Sequence, residues 1–226
     1  MNKNIIVSII IIILLLLTGF LYATRSASDP TKSIETVAKE NAVTPQAEGE
    51  SVYRIESEKS SVQYEINEVL NDKSNLVLGE TNQIAGDISI SDQKIIVGVL
   101  SINAKTFVTD SEKRDGAVAR FILKSEDPGN EFITFKPGNI SLIPATVVAS
   151  TSPDFIVSGD LTIAGVTKPA VFAVKGKIID GILTGTAQTK IKRSDFNLII
   201  PSVKSVASVD DTFTIKADIV ANKVSQ

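Results

Sequence analysis

The side chains able to do chemistry in this chain are carboxylates, lysines, arginines, tyrosines and hydroxyls, because its 226 residues include no His and no Cys. Without thiols there is no cysteine nucleophile, no disulfide and no thiolate metal site; without imidazole the usual general base and transition-metal ligand are missing. The remaining constellations are sparse. Asp210-Asp211 and the Glu56/Glu58 pair could serve acid catalysis or Ca²⁺ binding, but neither has the dense oxygen spacing of a calcium loop, and solvated turn acids are commoner. They are assigned no catalytic or metal role. Arg114-Asp115 has two open readings: a planar guanidinium at a cavity mouth suited to a phosphate or quinone oxygen, or a structural pair that caps a helix and ties it to a rim. Arg193 and Asp195, two residues apart, are expected on one strand face as rim or inter-strand partners. No local motif supports carboxylate, Lys, Tyr or Ser catalysis, so the chain is not expected to be an enzyme and no cofactor is implied.

The elements that must position these residues read as β-structure. From Asp154 to Ile178, Phe155, Val157, Gly159, Leu161 and Ile163 point one way and Ser158, Asp160 and Thr162 the other. After a Gly165–Pro169 corner, Ala170, Phe172, Val174, Gly176 and Ile178 repeat the alternation, which is the period of a half-buried antiparallel strand. The same phase appears at Val62–Ile66, Ile84–Ile90, Ile96–Ile102, Leu183–Ile191 and Phe213–Ala221, with short segments at Glu131–Phe135 and Asn139–Ile143. Turn pairs such as Ser91-Asp92 and Asp180-Gly181 separate them, so the fold class is all-β, a barrel of about eight antiparallel strands. Asp110–Leu123 breaks the pattern: cap-type residues precede Val118, Phe121 and Ile122 at helical spacing, predicting one or two turns interrupted around Gly116. Its natural place is over an open end of the barrel, as a lid.

Several inward positions are Gly: 86, 98, 159, 176 and 185. Two readings follow. Small residues can leave a tunnel lined by Phe107, Phe121, Phe135, Phe155, Phe172 and Phe213 that accepts an alkyl or prenyl chain. Alternatively, glycines serve coils and corners while the aromatics fill the space, and the filled barrel is a structural or protein-interaction module of the cell envelope that presents loops such as Pro144–Pro153 to a partner.

Upstream, Ile5–Ala23 is uncharged and strongly apolar, and at 1.5 Å per residue its helix would span roughly 30 Å, enough to cross a bilayer. Residues 1–23 are therefore expected to be a retained membrane anchor, with a cleaved signal segment as the alternative; the poor small-x-small site favours retention. The lack of Cys excludes a lipidated cysteine. Residues 24–50 are polar, with Pro30 and Pro45, and read as a flexible linker, a short helix over Ser33–Asn41 being marginal alone. Residues 51–223 form the barrel domain. With 23 basic against 26 acidic residues and no basic stripe, nucleic acid is not an expected partner. The positive-inside count, Lys3 and the terminal amine against Arg25, Lys32 and Lys39, does not by itself favour export, but a short N-terminus before an apolar run is the usual layout of a signal anchor, so the domain is expected outside the cytoplasm.

Four pieces of this pattern carry a family resemblance: Val52-Tyr53-Arg54-Ile55 with Ser61-Val62-Gln63-Tyr64; Lys113-Arg114-Asp115 leading to Phe121; Ile133-Thr134-Phe135; and Gly159–Lys168 with Ile191–Phe196. Together they resemble the YceI-like family of exported lipid-binding proteins over Val52–Lys223. The resemblance implies a lipocalin-like barrel that holds a polyisoprenoid, quinone or fatty acyl chain, and it favours a hollow interior, with Arg114 and the six phenylalanines, Gly159 and Gly176 as binding residues. Three positions depart from the family's pattern. Ala164 and Gly116-Ala117 stand where relatives carry His, and Asn197 where they carry Gly. The ligand's identity, and whether two barrels pair into a homodimer, stay open at this level.

Overall fold

Tight turns set the register of the sheet. The computed structural model describes residues 32–44, 49–91, 95–142, 155–202 and 206–224. Among the described residues, three strand connections have two central residues at positive φ: Asn71-Asp72 (49°, 62°), Ala164-Gly165 (48°, 76°) and Asp180-Gly181 (52°, 76°). These are type I′ turns, whose twist matches that of paired strands. The turn at Asp180-Gly181 was legible in sequence. The hairpin read over Asp154–Ile178, by contrast, turns at Ala164-Gly165, and the expected Gly165–Pro169 corner is already strand from Val166 onward.

Among the described residues, thirteen antiparallel segments form one curled sheet. They are β1 (Ser51–Ile55), β2 (Ser61–Leu70), β3 (Lys73–Thr81), β4 (Ile84–Ala85), β5 (Asp87–Ile90), β6 (Ile95–Val97) and β7 (Leu100–Asn103), followed by β8 (Phe132–Leu142), β9 (Phe155–Ile163), β10 (Val166–Ile179), β11 (Ile182–Lys192), β12 (Val206–Val209) and β13 (Thr212–Lys223). Pairing runs β4-β7-β8-β9-β10-β11-β13-β1-β5-β6, while β2 joins β13, β3 and β12. Strands β1 and β2 lie end to end along β13: Ile55 faces Ala221 and Ser61 faces Asp218. The 3₁₀ turn Ser57–Lys59 is the excess chain between them, stitched down by Ser60, whose hydroxyl accepts from Val220 N (3.0 Å) and donates to Val220 O. Only Gly86 separates β4 from β5.

The expected short segments around Glu131–Phe135 and Asn139–Ile143 are one strand, β8, with a register shift between Pro137 and Asn139. The irregularity is where a residue lacking an N–H can sit in a ladder. Strand β3 was not expected from sequence. Its larger residues, Leu76 and Leu78, face outward and are exposed, while Asn75, Val77, Gly79 and Thr81 face inward.

The linker is corrected in part. Helix α1 (Ile34–Glu40) is capped by Ser33, whose hydroxyl accepts from Thr36 N, and it buries Ile34 and Val37 beside β4 and β7. Packing of one apolar face stabilises a helix too short to form alone. Beyond it, Val43 N donates to Asp87 Oδ2 (2.9 Å), and Val43 Cγ2 lies 2.8 Å from where a Cβ on Gly98 would sit. Asp87 in turn accepts from Arg54 Nε and Nη2, both at 2.9 Å, and Ser89 donates to Glu50. This stretch covers the outward faces of Asp87, Ser89 and Ser101, which are fully buried. The expected anchor over Ile5–Ala23, most of the Ser91-Asp92 turn and the Pro144–Pro153 loop lie outside the described residues. Among the described residues no helix is long and apolar enough to cross a membrane.

Candidate ligand-binding cavity

The inward residues of the strands do not fill the space they enclose. They line a cavity of about 920 Å³ with an overwhelmingly apolar wall, including Val62, Val77, Ile84, Ile88, Ile102, Ile133, Val157, Leu161, Ile163 and Ile215. All six expected phenylalanines reach it. Phe107, Phe135 and Phe172 are shielded from solvent, and Phe135 and Phe172 meet edge to face with centroids 4.8 Å apart. Phe155 and Phe213 are half-buried, and Phe121 sits at the rim, 55% exposed.

The glycines divide. Gly176 and Gly185, opposite one another in β10 and β11, line the cavity, and a Cβ on Gly176 would meet nothing closer than Thr184 O at 3.7 Å. Gly159 is a correction: it is not part of the wall. A Cβ there would lie 2.8 Å from Pro137 Cα and 2.9 Å from Phe135 Cζ, and nearer still to the Lys136 carbonyl. Its missing side chain lets β8 and β9 approach at the bulge and leaves no void. Gly86 and Gly98 likewise make room for Leu100 and Val43. Beside the β10–β11 turn, Gly176, Lys177 and Ile178 are exposed, so the wall there meets the surface.

A lid covers part of the lining. Helix α2 (Glu112–Ala117) runs through Gly116 without interruption and widens into a π-turn at Val118–Ile122, closed by Leu123 N to Val118 O at 2.8 Å. The irregularity lies after Gly116, contrary to expectation. From this lid Arg114, Val118, Phe121 and Ile122 face the cavity.

Arg114 does not pair with Asp115. Its Nη2 donates to Glu68 Oε1 at 3.0 Å and its Nη1 to Asp110, while Asp115 accepts from Thr109 N (2.8 Å) and Thr109 Oγ1 (2.6 Å). Glu68 stands on the inward face of β2, its side chain 7% exposed, and also accepts from Asn75 Nδ2 at 3.0 Å. The guanidinium thus latches the lid to a buried carboxylate.

Tyr64, two pairs along the same face, lays its ring across Gly79 and against Phe107, centroids 5.6 Å apart. Its hydroxyl is buried and, among the described residues, is the one buried side-chain polar atom without a hydrogen-bond partner. Leaving such a group unpaired costs about 1–3 kcal/mol. Burial pushes its phenol up to about 12; Arg114 opposes that shift, and Asp115, Glu68 and Asp110 add to it. Tyr64, Glu68 and Asn75 were missed as site residues. The available signal was Glu68, a carboxylate in phase with Val62, Tyr64 and Ile66.

Arg193 and Asp195 lie on a 3₁₀ turn, Arg193–Phe196, and not on a strand face. Arg193 Nε donates to Asp210 O (3.1 Å) and Nη1 to Leu198 O, and Asp211 accepts from Ser194 N and Oγ, which holds its carboxyl below the usual aspartate range. Asn197 follows at φ 53°, a left-handed position that explains why Gly is common there and why Asn substitutes. Ala164 is a turn residue at φ 48° and does not line the cavity.

A curled antiparallel sheet around an apolar cavity with a short helical lid defines a lipocalin-like architecture. The YceI-like domain model matches residues 53–221, and the chain belongs to that family. Three solved structures share the fold. Burkholderia cenocepacia BcnA is 21% identical, with a TM-score of 0.59 over 74% of this chain and 99% of its own. A polyisoprenoid binding domain from Saccharophagus degradans, implicated in plant cell wall breakdown, is 14% identical, TM-score 0.54, over 76% and 98%. The Campylobacter jejuni YCEI protein is 18% identical, TM-score 0.52, over 63% and 82%. No curated protein sequence matches the chain.

Proposed function

We propose that this protein holds or carries a long apolar lipid chain, an isoprenoid, quinone or fatty acyl group, inside its sheet. On this reading the thirteen segments act as eight composite strands of a closed barrel, since β4 and β5 belong to one run of chain and pair with β7 and β1 respectively. The observation that carries the proposal is the cavity of about 920 Å³ with its apolar wall, near the upper end of the size range of ligand pockets. At about 0.8 kcal/mol per buried methylene, a ten-carbon chain supplies about 8 kcal/mol of gross driving force. That exceeds the ordering cost of a flexible tail by enough for stable binding, without any bond chemistry. The polyisoprenoid binding domain among its structural relatives supports the same ligand class. We further propose that Ile5–Ala23 anchors the protein in a membrane with residues 51–223 outside the cytoplasm.

Native mass spectrometry of the gently purified chain is the direct test, and a co-purifying apolar lipid is expected. Gly176→Phe should fold, place its ring in the cavity and lower uptake of polyprenols and acyl lipids at least tenfold. Uniformly apo protein, with no displacement of a hydrophobic probe by either lipid class, would refute the proposal.

A further inference from the structure

Where the cavity meets the surface beside the β10–β11 turn, the tip of that hairpin is apolar on both faces. Ile178 pairs with Leu183 and Ile179 with Ile182, flanking the turn at Asp180-Gly181. Ile178 and Leu183 line the cavity, so strand alternation turns Ile179 and Ile182 outward. Ile178, Ile179 and Ile182 are 44%, 55% and 42% exposed. The outward phase of β11 is otherwise polar, at Thr184, Thr186, Gln188 and Lys190, so the isoleucines interrupt a water-facing surface at its end. Single exposed apolar side chains are ordinary, but large ones clustered at one hairpin tip form a patch, and such patches mark an interface.

The cavity decides what the patch faces. Gly176, Lys177 and Ile178 are at once exposed and part of the lining, so tip and opening form one continuous surface. A protein partner seated on the tip would cover that opening. A bilayer extends it, because its hydrocarbon is chemically the same as the cavity wall. Charge agrees: between positions 175 and 184 the charged residues are Lys175, Lys177 and Asp180, a local excess of one cation on a chain of formal charge −3. Lysines at such an edge lay their stems on apolar surface and keep their ammonium groups at the level of lipid phosphates. Docking of this kind is shallow, an apolar face sinking about 5–10 Å into the boundary between head groups and acyl chains, which leaves the Asp180 carboxylate among the head groups.

We infer that the β10–β11 hairpin docks on a phospholipid bilayer, with Ile179 and Ile182 entering its interface. The opening beside it is then the portal through which an apolar chain passes between bilayer and cavity without crossing water. The docking stands on the hairpin itself; the portal rests on the lipid-binding reading above.

A chain without Cys accepts one label per molecule. Bimane is placed on Ile179→Cys and, for comparison, on Leu76→Cys, an exposed position on β3, in the full chain incorporated in phosphatidylcholine vesicles. Brominated lipids are expected to quench the first label and not the second, and adding phosphatidylglycerol should strengthen docking about fivefold, the weight of one net cation at an anionic surface. Ile179→Thr with Ile182→Thr keeps β-branched residues beside the turn, so it should fold, and neither position lines the cavity. It should slow transfer of a pyrene-labelled alkane from vesicle to cavity about tenfold, the weight of two half-exposed isoleucines, and leave uptake of the same probe from solution unchanged. Equal quenching of both labels, or none at Ile179→Cys, would overturn the docking. Quenching confined to Ile179→Cys with an unchanged transfer rate in the Thr variant would overturn the portal. If the parent chain takes up no probe from either source, the lipid-binding reading fails and the portal with it, while quenching alone still decides the docking.

Discussion

Replacing Arg114 by Ala removes the cation that latches the lid and strands the Glu68 carboxylate inside the sheet. The Glu68 side chain is 7% exposed and that of Arg114 22%, so this is a buried pair. Breaking such a pair from one side costs about 3–5 kcal/mol, because the surviving charge keeps its desolvation penalty without its partner. One feature places this case at the low end: Asn75 continues to donate to Glu68 Oε1. The second Arg114 partner, Asp110, is 78% exposed and contributes at most about 0.5 kcal/mol. The expected loss is therefore about 3 kcal/mol. Glu68→Gln, which leaves Arg114 beside Asp110, should cost about 1–2 kcal/mol. The double replacement Arg114→Ala with Glu68→Gln removes both charges and should cost about 2–3 kcal/mol, below the sum of about 4–5 kcal/mol for the two single variants, a coupling of about 2 kcal/mol. Urea denaturation at neutral pH, followed by circular dichroism with a common slope, measures all four states. A loss below 1 kcal/mol for Arg114→Ala, or additive effects in the double variant, would refute the latch.

Three further outcomes follow from the geometry. Gly159→Ala should destabilise by about 1–3 kcal/mol, because its Cβ would press on the Pro137 and Lys136 backbone, which cannot yield as a flexible side chain does; a neutral effect in denaturant melts would contradict this packing. Tyr64 makes the protein sensitive to alkali. Its folded-state value of about 12 lies above its unfolded value of 10.0, so its contribution is fully present below pH 10 and is lost as pH rises through 12. That loss amounts to about 2–3 kcal/mol, and it should vanish in Tyr64→Phe when stability is compared between pH 9 and pH 12. Ala164→Gly should stabilise by about 0.5–1 kcal/mol, since an L-residue at φ 48° bears a left-handed penalty larger than the entropy cost of Gly; a lower thermal midpoint would show the strain to be absent.

Most of the wall was legible from residue periodicity. Phe155, Val157, Leu161 and Ile163 on β9, and Val62, Tyr64 and Ile66 on β2, share a face because strand side chains alternate, and no knowledge of neighbours is needed to see it. Strand β3 was not legible, because its inward positions hold Asn75 and Gly79 and its leucines face out. Its partner residues across the sheet, Glu68 and Tyr64, are what make that choice sensible: Asn75 bonds one and Gly79 receives the ring of the other. The marginal helix over Ser33–Asn41 forms because a sheet face exists for it to cover, which is a property of the folded whole.

The sequence by itself determined the all-β class, the family, the absence of thiol and imidazole chemistry, and which residue types could face an interior. Those depend on composition and on a two-residue period, both local. Tertiary structure decided whether the interior is empty and how its few polar groups are used, since that turns on distances between strands far apart in the chain. Gly159 and Gly176 look alike in sequence, yet one is filled by the backbone of β8 and the other borders open space. Arg114 looks paired with its neighbour Asp115, yet it reaches across to Glu68, because the lid folds over β2 and brings a buried carboxylate within 3.0 Å.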